Sequence, residues 1–146
     1  MTGCTWMERK VIDASVVVKW YIQERHSDKA ENIRIDFVQK VIDLLCPNLL
    51  PFEVLNALKY SNLFEVNDLE MAGESLGNYP FTYMPLSAER RSKMIELSVE
   101  HDLSMYDAAY VALALDQGIP FITADEKIKR KLPENVKEHV FTLVEL

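Results

Sequence analysis

The chain has 146 residues, 49% of them hydrophobic and 27% charged, and a formal net charge of −7. That length suits one domain with a core of its own, and the hydrophobic share excludes a disordered chain. The acidic balance excludes a broadly basic nucleic-acid binder, so contact with nucleic acid would need a local basic patch or bound cations.

Residues 1–8 read as an N-terminal extension and residues 9–146 as one domain. Residues 9–13 read as a short buried strand that ends at Asp13. Residues 15–22 are apolar and β-branched, but Asp13 and Ser15 are good N-cap residues, so a helix starts there. Across residues 29–45, Ile33, Phe37, Val38, Val41, Ile42 and Leu45 follow the stripe of one long amphipathic helix. Residues 48–50 then form a short strand, and Pro51 sits in the first turn of a helix that runs to about residue 63. A helix over 68–76 and a strand over 81–86, with Thr82 outward, come next. Ser87 starts a helix that reaches residue 101. Ser104 opens another, apolar nearly all round from Ala108 to Leu115 and therefore buried on most sides. Gly118 ends it. A strand over 120–123, a helix over 125–132 and a strand over 140–144 complete the chain. Strands alternating with helices imply an α/β domain with a mostly parallel sheet.

Four acidic residues stand at the edges of these apolar segments: Asp13, Glu53, Asp107 and Asp125. Carboxylates in apolar company are costly unless paired, capped or bound to a cation. In an open parallel sheet, ligands bind outside the carboxyl ends of the strands. Asp13 and Asp125 follow strands, and Glu53 and Asp107 lie in helix first turns, so all four can face one rim. Four carboxylates gathered there could not all stay ionised without a cation, which points to magnesium or manganese. Such an ion lowers the pKa of water and steadies charge on a phosphoryl group. Each residue also has a plainer reading: Asp13 and Asp125 as N-caps, Glu53 as a partner of the helix dipole, Ser104 with Asp107 as a capping box.

Four segments, in order, resemble the motifs of the PIN-domain family and, more narrowly, of its VapC-type toxin ribonucleases. They are Val11-Ile12-Asp13-Ala14-Ser15-Val16-Val17-Val18-Lys19-Trp20; Glu53-Val54-Leu55-Asn56-Ala57-Leu58; Leu103-Ser104-Met105-Tyr106-Asp107-Ala108-Ala109-Tyr110-Val111-Ala112-Leu113-Ala114; and Phe121-Ile122-Thr123-Ala124-Asp125-Glu126-Lys127. The resemblance implies a three-layer α/β/α Rossmann-like fold and a ribonuclease dependent on Mg2+ or Mn2+. Asp13, Glu53, Asp107 and Asp125 match the acids that hold the metal and its attacking water, and Ser15 matches a position that supports the first aspartate. RNA cleaved to 5′-phosphate and 3′-hydroxyl ends, an antitoxin partner and a homodimer are further implications.

Other residues are candidates for lesser roles. Asn56 and Thr123 are supporting candidates beside the acids. Lys19, Lys127, Lys129 and Arg130, together with Lys131, lie near them and suit RNA phosphates, or else form a solvated face. Trp20, Tyr21, Tyr106 and Tyr110 suit base stacking, or else the core. The helices between residues 29 and 76 suit a groove for a partner helix. His26, His101 and His139 have no partner at ligand spacing. Cys4 and Cys46 stand alone, as in a reducing compartment. No apolar run reaches the ~20 residues of a membrane span, and the start lacks the apolar stretch of a secretory signal; a cytoplasmic protein is expected.

Two rival readings remain. A non-catalytic binding module on the same fold would not need the metal. A haloacid-dehalogenase-like phosphatase would need a second aspartate two residues after the first, where Ser15 stands.

Overall fold

The structure, a computed structural model, describes residues 7–146; the N-terminal extension, with Cys4, lies outside them apart from its last two residues. Five strands make the sheet: β1 (Glu8–Ile12), β2 (Ile42–Pro47), β3 (Thr82–Met84), β4 (Phe121–Thr123) and β5 (Val140–Thr142). All neighbours pair in parallel, in the order β3-β2-β1-β4-β5. The chain starts in the middle, runs outward to β3, and then returns to the other side of β1. The register aligns Ile12 with Ile122, so the residues just after β1 and β4 emerge side by side.

A parallel sheet buries both faces under its crossover helices. The helices are α1 (Ala14–Val18), α2 (Ser27–Val38), α3 (Leu50–Tyr60), α4 (Val66–Asn78), α5 (Ala88–His101), α6 (Met105–Gln117), α7 (Glu126–Lys131) and α8 (Glu134–Lys137). Helix α6 lies against β1, β2 and β4 with α5 packed on it, while α1 packs on α3 and α3 on α4. The result is the expected three-layer α/β/α arrangement. Its core includes Ile12, Leu44, Leu45, Leu50, Tyr110, Phe121 and Ile122, all essentially buried. Fully burying a side chain of the Leu or Phe kind is worth ~1.5–3 kcal/mol, so this layer holds the site rigidly from below.

Residues 29–45 depart from the single helix expected of them. Helix α2 stops at Val38, Lys40 turns the chain with φ +62°, and Ile42–Pro47 is strand β2. A strand buried on both faces reads as a continuous apolar run, which periodicity alone cannot tell from a helix. Residues 48–50 are therefore no strand: Leu50 begins α3, with Pro51 in its first turn as expected. The last strand ends at Thr142, because Leu143–Glu145 tightens into a 3-10 turn capped by Thr142 and Glu145. Thr82 does not stand free in solvent: it is half-buried and donates to Asp43 Oδ1 (2.9 Å). Helix α8, a single turn, was not expected. Among the described residues no helix is long and apolar enough to cross a membrane.

Candidate active site

Asp13 ends β1 and caps α1. Its backbone is extended (φ −99°, ψ 169°), the geometry an N-cap needs before helical residues begin. Oδ1 accepts from the Ser15 amide (2.8 Å) and from the Ser15 hydroxyl. Oδ2 accepts from the Thr123 hydroxyl (2.6 Å). The same two hydroxyls tie β4 in: Ser15 Oγ accepts from the Ala124 amide (2.9 Å) and Thr123 Oγ1 from the Asp125 amide (3.0 Å). The parallel register of β1 and β4 makes this exchange possible, and it fixes Asp13 and Asp125 relative to each other. Asp13 is only 5% exposed. Burial pushes its carboxyl up to about 6; the three hydrogen bonds work against that rise and the Asp107 charge adds to it.

Asp125 caps α7, accepting from the Lys127 amide (2.9 Å). Glu53 rises from the first turn of α3, where Pro51 and Leu50 set the helix start. Its Oε1 accepts from the Tyr110 hydroxyl (2.7 Å). Burial pushes Glu53 up to about 7, with the charges of Asp13 and Asp107 adding and the Tyr110 bond opposing. Asp107 lies in the first turn of α6 behind the N-cap Ser104, whose hydroxyl accepts from the Asp107 amide (3.0 Å). Burial is the largest cause of its raised pKa, followed by the Asp125 charge.

Four separate segments thus bring their carboxylates to one cleft of about 240 Å³, lined also by Ala14, Ser15, Val18, Ala57, Tyr110 and Ile128. Among the described residues no basic side chain lines it. The cleft opens where the chain reverses its direction of travel across the sheet, between β1 and β4, the place where open α/β sheets bind ligands. The donor set is entirely hard oxygen, which fits Mg2+ or Mn2+. The pKa values of Asp13, Glu53 and Asp107 are raised chiefly by burial, with a smaller contribution from neighbouring carboxylates, and a proton or a cation would offset both. Among the described residues, no group of three or more His, Cys, Asp or Glu side chains stands close enough together to hold a metal ion as placed. The arrangement is an open acidic cleft rather than a preformed structural site.

Other expected residues are placed as follows. Ser15 and Thr123 are at the cleft, bonded to Asp13. Asn56 is not; it is exposed and lines a groove between α3 and α4, while Ala57, one full turn from Glu53, takes the place in the cleft. Lys19 is paired with Glu24 (3.0 Å) and largely covered, and Lys129 is paired with Glu145 (2.8 Å) beside the Phe141 ring. Lys131 lies 3.8 Å from Asp102. Lys127 and Arg130 are exposed on α7.

Of the four aromatics expected for stacking, Tyr110 is buried in the core and Trp20 and Tyr21, partly buried, pack against it. Trp20 packs with Phe37, Tyr79 and Phe81 and donates to the Ala30 carbonyl (2.9 Å). Tyr21 shares a hydrogen bond with Ser75 (2.8 Å). Tyr110 is buried and faces Glu53; only Tyr106 is exposed, at 63%. The sequence reading missed Tyr110 as part of the site. The available signal was a hydroxyl within the apolar stretch from Ala108 to Leu115, three residues after Asp107, since a buried tyrosine hydroxyl needs a partner.

The groove between α3 and α4 is apolar and holds about 540 Å³, lined by Phe52, Leu55, Val66 and Leu69 with Lys59 and Glu70 at its edges. Phe52 and Val66 are among the most exposed large apolar side chains of the molecule.

The family model for the PIN domain matches residues 10–131. Ribonuclease VapC3 of Pyrobaculum aerophilum is 31% identical over 127 residues, an alignment covering 84% of this chain and 94% of that protein. Among solved structures, a toxin–antitoxin complex from Klebsiella pneumoniae superposes with a TM-score of 0.66 at 17% identity, covering 94% of this chain and 99% of the other. VapC20 of Mycobacterium tuberculosis, a toxin that cleaves the sarcin–ricin loop, gives a TM-score of 0.65 at 17% identity over 83% of this chain and 93% of its own. At those identities the structural matches bear on the fold alone.

Proposed function

The chain belongs to the PIN-domain family, and from that premise we propose that it is an endoribonuclease dependent on Mg2+ or Mn2+, the toxin of a toxin–antitoxin pair. One observation carries the reading: Asp13, Glu53, Asp107 and Asp125, from four distant segments, line a single cleft beside the β1–β4 switch point. The name and the toxin class of the relatives support the substrate and the partner.

The four acids would hold the ion, which when bound supplies the polarisation of water and of the phosphoryl oxygens that phosphodiester hydrolysis needs. The protein's own part is positional and electrostatic. Ser15 and Thr123 hold both oxygens of Asp13, so its carboxylate keeps one orientation. Burial raises Asp13 to about 6 and Glu53 to about 7, so below neutral pH protons would compete with a cation for these two carboxylates. Lys127 and Arg130, exposed beside Asp125, offer contacts for the RNA backbone on a chain that is otherwise acidic. No serine in the cleft needs to act as a nucleophile: Ser15 Oγ is committed to Asp13 and to the Ala124 amide. Cleavage leaves 5′-phosphate and 3′-hydroxyl ends.

The antitoxin would lay an apolar segment into the groove between α3 and α4, where Phe52 and Val66 lie exposed. The protein acts in the cytoplasm and as a homodimer, which light scattering of the purified chain tests. The activity is tested with labelled structured RNA and Mn2+ or Mg2+, with and without EDTA, beside Asp107→Asn. Cleavage that requires the metal and disappears in the variant supports the reading. Cleavage that survives both, or no metal binding and no cleavage on several RNAs, overturns it, and the second outcome favours a non-catalytic binding module.

A further inference from the structure

Glu53 differs from the other acids of the cleft in how it is held. Asp13 and Asp125 are N-caps, each bonded to a nearby backbone amide. Asp107 follows an N-cap serine by three residues on a buried helix. Glu53 has the longest side chain of the four and belongs to no capping arrangement. Among the described residues, its carboxylate receives a single hydrogen bond, from the Tyr110 hydroxyl to Oε1. A free glutamate side chain loses up to ~2 kcal/mol of rotamer entropy on ordering. Without a partner it would sample orientations out of the cleft.

Tyr110 is built to remove that freedom. It is 1% exposed and stands one turn after Asp107 on α6, so one helix supplies both a carboxylate and this hydroxyl to the cleft. Its ring stacks on Phe121 of β4 (centroids 6.1 Å apart, planes 23° apart), the strand that leads to Thr123 and Asp125. The donor is fixed by the core, and the core thereby fixes Glu53.

We propose that Tyr110 is a positioning residue: its buried hydroxyl engages Oε1 of Glu53 and aims the carboxylate into the acidic cleft, where it would help hold the divalent ion. The role rests on the metal-dependent reading above. It assigns Tyr110 neither contact with RNA nor a proton transfer.

The test is Mn2+ affinity of the full chain without RNA, followed by electron paramagnetic resonance, for wild type, Tyr110→Phe, Glu53→Gln and the double variant. Partners that orient a metal-binding carboxylate are typically worth ~10–100-fold in affinity. Tyr110→Phe is expected to weaken Mn2+ binding at least about tenfold. In the Glu53→Gln background the same change should cost less than about twofold, because the group it positions is no longer a carboxylate. Phe121→Leu is the packing control: it lowers the melting temperature in EDTA but leaves Mn2+ affinity within about twofold, because the hydroxyl remains. Equal affinities for wild type and Tyr110→Phe overturn the role, as does an equal loss in both backgrounds, which is what general loosening of the core would give. If wild type itself binds no Mn2+, the metal reading fails and the positioning role fails with it.

Discussion

Replacing Asp13 by Asn should stabilise the metal-free protein near neutral pH while removing the proposed ribonuclease activity. The folded state raises the Asp13 carboxyl from 3.8 to about 6, burial being the largest cause. For an acid with a raised pKa, the folded state binds the proton more tightly than the unfolded one. Stability therefore falls as pH rises through the interval between the two values, and the loss is complete above the folded value. The full displacement is worth about 3 kcal/mol, of which about 2 kcal/mol accrues between pH 4.5 and pH 7.5. Asparagine carries no such charge, but it presents an amide where Oδ2 accepted from Thr123. Losing that bond costs about 1 kcal/mol. The variant should match wild type near pH 4.5 and exceed it by about 1–2 kcal/mol at pH 7.5, or by roughly 3–6 °C in melting temperature for a chain of this length. The assay is urea unfolding in EDTA at a series of pH values, comparing variant with wild type so that all other titrations cancel. A difference that stays flat with pH, or a variant less stable at pH 7.5, would refute the claim that buried charge burdens this cleft. Added Mn2+ should reverse the order, stabilising wild type and leaving the variant nearly unchanged.

Three further outcomes follow from particular contacts. Thr123→Val keeps the shape but strips a donor from Asp13 Oδ2 and an acceptor from the Asp125 amide; chemical denaturation should show a loss of about 2 kcal/mol or more, because buried polar groups are left unpaired. Lys127→Ala combined with Arg130→Ala should raise KM for RNA several-fold with kcat nearly intact, and should flatten the salt dependence of KM by about one to two phosphate contacts; unchanged KM would remove α7 from the RNA path. Lys40 sits at φ +62° between α2 and β2. A non-glycine residue there bears about 1 kcal/mol of strain, so Lys40→Gly should raise the urea midpoint by the equivalent of about 0.5 kcal/mol once the entropy of a free glycine is allowed for, and a destabilised variant would show that the turn carries no strain.

The sequence by itself singled out the four acids proposed to carry the chemistry and the local reason each stands where it does. Asp13 and Asp125 are polar caps at the ends of apolar strands, Glu53 and Asp107 are acids in helix first turns, and those signals lie within a few residues of each acid. The alternation of strands and helices, and with it the fold class, was legible for the same reason: periodicity and capping are local. The boundary between α2 and β2 was not, because a strand covered on both faces carries no alternation. Strand order was out of reach as well, since nothing near β4 in the chain says that it returns to the far side of β1 rather than extending beyond β3. That one long-range pairing puts Ser15 against Ala124 and Thr123 against Asp13, and so turns two separate caps into one site. Side-chain direction was decided at the same level. Tyr110 points inward to Glu53, Asn56 points away into the α3–α4 groove, and Lys19 and Lys129 are taken up by Glu24 and Glu145. Each of these depends on which element packs opposite, a relation between segments that only the folded chain brings together.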